Sequence, residues 1–170
     1  MDKINPGEAA SSEDLAYCAG VIDSDGCIRI CKRLIREKAK GKLKKKAPYL
    51  NYTELIQVGQ VEPEAINLLK GIFGGYVYLR KRKSKKHRSI YVWKVQQLVA
   101  HRCILKLRPY LRIKAKQADT CIQFREVFEE CKKENRSIPG STGSRPRSKE
   151  TLVRLESYYL TQKVLNSGAK

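Results

Sequence analysis

At 170 residues the chain is long enough for one domain with its own core, and an apolar content of 41% is that of a protein that folds. Its 36 Lys and Arg against 17 Asp and Glu give a formal charge of +19, which calls for a polyanionic partner, nucleic acid first and an anionic membrane surface second. No apolar run approaches the roughly 20 residues of a membrane span, the six cysteines form no CxxC pair, and His87 and His101 lack metal-ligand spacing, which argues against a membrane-inserted protein and a zinc module.

The opening segment, MDKINPGEAASSED, is neither a secretory signal nor, being acidic, a transit peptide. With cysteines that read as small, mostly buried apolar residues, this gives the expectation of an intracellular protein, in the cytoplasm of a prokaryote or an organelle interior. Residues 1–11 read as a loosely held arm. A helix follows over about 12–25, with Ser11 and Ser12 as candidate N-caps and Glu13 and Asp14 suited to its first turn. Ala16 and Gly20 lie four apart on one face, where neither side chain would hold another helix away.

This helix ends in Asp23-Ser24-Asp25-Gly26. Carboxylates are disfavoured at a helix C-terminus, by about 0.3–1 kcal/mol each when exposed. Carboxylate and carbonyl oxygens gathered there suit a hard divalent cation such as Mg²⁺. The simpler reading is a helix stop with Gly26 as a left-handed cap.

A strand from Cys27 to about Ile35 then puts Arg29, Cys31 and Arg33 on one face and Ile28, Ile30 and Leu34 on the other. Residues 36–47 are a basic loop. The next strand, about Tyr49 to Gln60, alternates Leu50, Tyr52, Ile56 and Val58 with Asn51, Thr53 and Gln57, interrupted by Leu55. The pair forms a hairpin whose polar face carries side chains of the kind that read base edges.

A helix starting at Pro63 has Ile66, Leu69 and Phe73 on its core face and ends at Gly74-Gly75. The third strand, Tyr76 to about Arg82, splits into Val77 and Leu79 on one side and Tyr76, Tyr78, Arg80 and Arg82 on the other. A basic turn leads to a fourth strand, Ser89 to about Val95, where Tyr91 and Trp93 share a face, either buried or turned towards a ligand. Helices are expected over about Gln97–Leu107, over about Lys114–Lys133 and from Ser148 onward, with an exposed loop near 135–147. The fold class is therefore α+β: an αββαββα core over 12–108, one four-stranded antiparallel sheet with helices on one face and a basic face left open, and C-terminal helices over 109–170.

LAYCAGVIDSDG, residues 15–26, closely resembles the LAGLIDADG signature of homing endonucleases; Gly20, Asp23, Asp25 and Gly26 match it, as do the apolar positions between. The order of elements resembles that family's core as well. IQVGQ and PYLRIKAKQA are similar to segments of its single-motif, homodimeric subgroup. The resemblance implies that Asp25 holds the catalytic metal, with Ser24 beside it, and that Gln60 orders water. It implies that Lys114 lies near the scissile phosphate and that Asp23 is more structural. It implies a dimer interface at Ala16, Ala19, Gly20 and Asp23. Duplex DNA would lie on Arg29, Cys31, Arg33, Asn51, Thr53, Gln57, Tyr76, Tyr78, Arg80 and Arg82.

The implied activity is hydrolysis of one phosphodiester in each strand of a long pseudo-palindromic DNA site, with Mg²⁺, Mn²⁺ able to substitute, and Ca²⁺ supporting binding without cleavage. One departure stands out. The subgroup often has a second basic residue a few positions after the Gln, where this chain reads Val61-Glu62-Pro63-Glu64. The alternative is an intron maturase that holds its own intron RNA on the same basic sheet. A DNA-binding regulator would leave the acidic pair without a role.

Overall fold

The computed structural model describes residues 10–36, 48–81, 88–136 and 148–168. The elements run α1 (Ser12–Asp25), β1 (Gly26–Ile35), β2 (Tyr49–Gln60), α2 (Glu64–Phe73), β3 (Tyr76–Arg80), β4 (Ile90–Gln96), α3 (Gln97–Leu107), α4 (Ala115–Arg136) and α5 (Lys149–Ser167). The expected αββαββα order and the C-terminal helices are present. The expected arm, basic loop and 135–147 loop fall wholly or largely outside the described residues.

Local chemistry explains the element ends. Ser11 caps α1 by accepting from the Asp14 N–H at 3.1 Å. Ser148 does the same for α5 through the Thr151 N–H. Pro63 stands at the N-cap of α2 rather than inside its first turn. Gly74 and Gly75 stop α2 at φ +68° and +93°, values that favour glycine. Gly75 also packs so closely that a Cβ would come within 2.8 Å of the Lys94 carbonyl.

Gly26 departs from the expectation of a left-handed cap, since its backbone is extended at φ −83°. Glycine is needed there for closeness, because a Cβ would sit 2.6 Å from the Ile22 carbonyl oxygen. The helix can therefore enter β1 without a loop.

The four strands form one antiparallel sheet in the order β1-β2-β4-β3. Register fixes the faces. Ile28↔Ile56, Ile56↔Val95 and Val58↔Trp93 stack on the side covered by helices. Arg29↔Leu55, Cys31↔Thr53, Gln57↔Lys94 and Tyr76↔Lys94 lie on the other side. The core is built from Ile22, Ile28, Tyr52, Ile56, Trp93, Ile104, Leu107 and Phe124, all 1% exposed or less. Trp93 belongs to it, and its Nε1 donates to the Gly74 carbonyl at 2.8 Å. Tyr91 lies partly buried against the same core. Of the two readings of this aromatic pair, burial is the one found.

Two polar features bind the C-terminal helices to the sheet. Glu54, on the covered face and fully buried, pairs with Arg125 of α4, whose Nε donates to it at 2.6 Å. Burial pushes the Glu54 carboxyl up, and the Arg125 guanidinium works against that. Gln162 and Asn166 of α5 donate side-chain N–H groups to the Ile28 carbonyl at 2.7 and 3.0 Å. They satisfy a backbone group of β1, an edge strand whose exposed ladder would otherwise invite another strand. No helix among the described residues is long and apolar enough to cross a membrane.

Candidate cleavage centre and nucleic-acid interface

α1 has an inner and an outer side. Cys18, Ala19, Ile22 and Asp23 are buried, whereas Ala16, Tyr17, Gly20, Ser24 and Asp25 are exposed. This divides the residues expected at a dimer contact. Ala16 and Gly20 share the open face, and a Cβ at Gly20 would meet nothing within 4 Å. Ala19 and Asp23 point the other way, into the chain's own interior. Within the chain Ala19 is thus core and Asp23 is nearly covered, and only Ala16 and Gly20 of the four residues expected at a partner remain on the surface.

Asp23 is engaged by backbone. Its carboxylate accepts from the N–H groups of Arg112 at 2.6 Å, Ile113 at 3.1 Å and Lys114 at 2.8 Å. Those amides lie just ahead of α4, so an acid misplaced at one helix's C-terminus faces another helix's N-terminus. Burial alone would raise its pKa. The amides of Arg112, Lys114 and Ile113, with the Lys114 charge, outweigh burial and hold the carboxyl below its ordinary range.

Asp25, two residues on, remains open. Its carboxylate accepts from Gln60 Nε2 at 2.7 Å and from Ser24 Oγ at 3.3 Å. Ser24 Oγ also lies 3.1 Å from the Val21 carbonyl, to which it can donate instead. Among the described residues no Lys or Arg forms an ion pair with Asp25. Gln60 is the last residue of β2, and Gly26↔Val58 pairing places it beside the start of β1. Lys114 completes the group: its Nζ donates to the Asp23 backbone carbonyl. Asp25, Gln60 and Lys114, 89 residues apart at the extremes, thus gather at the C-terminal end of α1.

A metal would find one open carboxylate here, with neutral partners and helix-end carbonyls beside it. That donor chemistry fits a hard cation. Among the described residues no group of three or more His, Cys, Asp or Glu side chains could hold a metal. One chain therefore offers Asp25 as a single carboxylate ligand and not a finished cage.

The open sheet face carries the expected side chains: Arg29, Cys31 and Arg33 from β1, Asn51, Thr53 and Gln57 from β2, and Tyr76, Tyr78 and Arg80 from β3. Tyr76 is 80% exposed, and Arg80 Nη2 lies 3.2 Å from the Tyr78 hydroxyl. Arg82 lies outside the described residues. Lys94 and Gln96 of β4 share this face and were missed. The signal was present in their alternation with Trp93 and Val95, but the aromatic pair drew the reading. After Gln60, where the family often has a second basic residue, Glu62 pairs with Arg88, which stands just ahead of the neighbouring strand β4, at 3.1 Å.

No family model and no curated protein matches the chain. Solved structures do. The homing endonuclease I-CvuI, in complex with the I-CreI target, is similar at a TM-score of 0.61 and 19% identity, over 94% of this chain and 88% of that one. The archaeal intron-encoded homing endonuclease I-Vdi141I, complexed with DNA, gives 0.63 and 12%, over 93% and 87%. The LAGLIDADG homing endonuclease I-GzeII, in complex with its DNA target, gives 0.50 and 14%, over 85% of this chain but 43% of that one. The chain has the fold of the LAGLIDADG homing endonucleases, built around an α1 that carries the LAYCAGVIDSDG segment.

Proposed function

We propose that the chain is a divalent-metal-dependent DNA endonuclease that acts as a homodimer on a long pseudo-palindromic site. The observation that carries this reading is Asp25: an exposed carboxylate without a cationic partner among the described residues, oriented by Gln60, in a protein of formal charge +19. A lone acid beside a basic sheet repels a phosphate unless a cation stands between them.

In this reading Asp25 is the ligand each chain supplies, and a bound metal would stabilise charge on the phosphate and help activate water. Gln60 fixes the carboxylate and presents its amide at the same point. Lys114, held at the α1 end by the Asp23 carbonyl, offsets negative charge beside it. The arginines of β1 and β3 hold the duplex.

Dimerisation follows from the count of ligands. One chain brings one Asp25, and two strands need two centres. The Ala16/Gly20 face offers an isologous helix contact that brings two such ends together. The fold occurs both in a chain of about this length and in one about twice as long, which accords with two copies doing the work of a doubled chain.

Nicking of plasmid DNA carrying the host intron's insertion site, with and without Mg²⁺, tests the proposal. Metal-dependent cleavage of both strands is expected. Intron RNA held tightly with no cleavage of DNA would favour the maturase reading. Duplex binding should also fall steeply with salt, by about 10³–10⁵ between 50 and 200 mM if six to ten phosphates are contacted.

A further inference from the structure

Six cysteines are free, and they divide sharply. Cys18, Cys103, Cys121 and Cys131 are 3% exposed or less. Burial pushes the Cys18 thiol up to about 12 and raises those of Cys103 and Cys121 as well. Such thiols are inert. Cys27 and Cys31 are partly exposed, and both line a groove of about 550 Å³ between β1 and the last turns of α5. Arg29, Arg33 and Lys163 line it with them. Cys27, Arg29, Cys31 and Arg33 alternate on the open face, so the groove continues the surface proposed to hold DNA.

We propose that Cys27 and Cys31 are a thiol-modification site for an anionic disulfide of the glutathione class, and that occupying it closes the sheet to DNA. The second half rests on the reading of the sheet as a DNA surface. Three cations around the two thiols attract a negatively charged co-reactant. An internal disulfide between the two is ruled out by geometry. Four residues along a strand span roughly 13 Å, about twice the greatest Cα separation a disulfide bridges. Opposite them on β2 stand Gln57 and Thr53, which carry no thiol.

The reaction is therefore exchange with an outside partner. The protein sulfur attacks one sulfur of oxidised glutathione, the reagent's S–S bond breaks, and a protein–glutathione S–S bond forms. The departing glutathione thiolate takes up the proton that the cysteine gave. Each modified site then carries a bulky group of net negative charge where a phosphate backbone would lie.

The test treats the full chain with oxidised glutathione, maps adducts by peptide mass spectrometry and measures duplex binding in Ca²⁺ by gel shift. Adducts are expected at Cys27 and Cys31 before any of the four buried cysteines. Modified protein should bind duplex at least tenfold more weakly and recover on reduction with dithiothreitol. Bound duplex should slow both modifications. Cys27→Ser/Cys31→Ser, compared with its own untreated sample, should show no change on treatment. If that variant does not fold, iodoacetamide replaces it: its small neutral adduct at the same two sites should weaken binding less than glutathione does. Adducts at buried cysteines first, or modified protein that binds as untreated protein does, would overturn the inference. If untreated protein itself binds no duplex, the endonuclease reading falls and the closing of the sheet falls with it.

Discussion

On the inner side of α1, Ala19, Ile22 and Asp23 are taken up by the chain's own interior. On the outer side Ala16 and Gly20 are exposed, and Asp25 is exposed at the helix end. Asp23 and Asp25 are the same chemical group two positions apart, and helix geometry alone sends them to opposite fates. One carboxylate is saturated by three amides and contributes to holding α4 against α1. The other keeps its coordinating capacity and has only Gln60 and Ser24 beside it. The difference teaches how a short acidic motif can serve folding and chemistry at once: the interior claims one acid, which fixes the other in the open.

The sharpest way to break this comparison is Asp25→Asn. The substitution keeps size and one oxygen and removes the charge. The helix end should fold unchanged, and duplex affinity without metal should hold or rise slightly, because carboxylate–phosphate repulsion is lost. Cleavage in Mg²⁺ should fall at least about 100-fold, the scale on which one electrostatic partner of a transition state is lost. Cleavage near the wild-type rate would remove Asp25 from the metal assignment.

Asp23→Asn should fail in the opposite sense. Hydrogen bonds to a charged group are worth about 1.5–3 kcal/mol each, and the amide can replace them only in part. A loss of roughly 2–3 kcal/mol in denaturant stability is expected, with the metal requirement unchanged in whatever protein stays folded. The pH dependence carries a second signature. The folded-state pKa of Asp23 lies below its unfolded value. Its stabilisation is therefore present above an unfolded pKa of about 3.9 and is lost as pH falls through the folded pKa. Wild type should lose stability on the acid side of pH 4 more steeply than Asp23→Asn. Parallel acid limbs would show that the three amides contribute nothing net.

Lys114 belongs to both sides, since its backbone N–H meets the Asp23 carboxylate and its Nζ meets the Asp23 carbonyl. Lys114→Met keeps the first contact and removes the second. Stability should change by about 1 kcal/mol or less, while cleavage should fall roughly tenfold or more if the ammonium offsets phosphate charge. A variant that loses stability and keeps its cleavage rate would make Lys114 a purely structural residue.

How much of this was legible in the sequence depends on distance along the chain. Short-range signals read well. The alternation in β1 and β3 gave the open face, and Gly74-Gly75 ended α2. The acidic turn also drew attention to itself, as a cost at a helix C-terminus that nothing local offsets. What was missed is long-range. Glu54 reads as a flaw in an apolar strand face until Arg125, 71 residues on, arrives beside it. Gln162 and Asn166 look like neutral helix residues until the Ile28 carbonyl, more than 130 residues back, needs donors. Ala19 and Asp23 were expected at a partner on the resemblance alone; within the chain both are buried, Asp23 against the amides of residues 112–114. Trp93 and Tyr91 could have faced either way, and strand register decided it.

The smallest expected effect bears on the outer side of α1. Gly20 is mid-helix, with nothing within 4 Å of the position a Cβ would take. Glycine there costs the isolated chain about 0.5–1 kcal/mol relative to alanine. Gly20→Ala should therefore stabilise the monomer by about that amount, measured by denaturation at low protein concentration, where assembly does not contribute. If the same face meets its two-fold mate across Ala16 and Gly20, the added methyl groups hold the helices apart. Sedimentation should then show weaker self-association of the same protein, and Gly20→Leu should abolish it. Gly26→Ala supplies the contrast on one helix, because its Cβ would lie 2.6 Å from the Ile22 carbonyl oxygen and 2.7 Å from the Ile22 Cα. That variant should lose stability without any partner present. A Gly20→Ala protein that is more stable and associates as wild type does would place the dimer contact elsewhere and leave the open face of α1 without a role in bringing two Asp25 residues together.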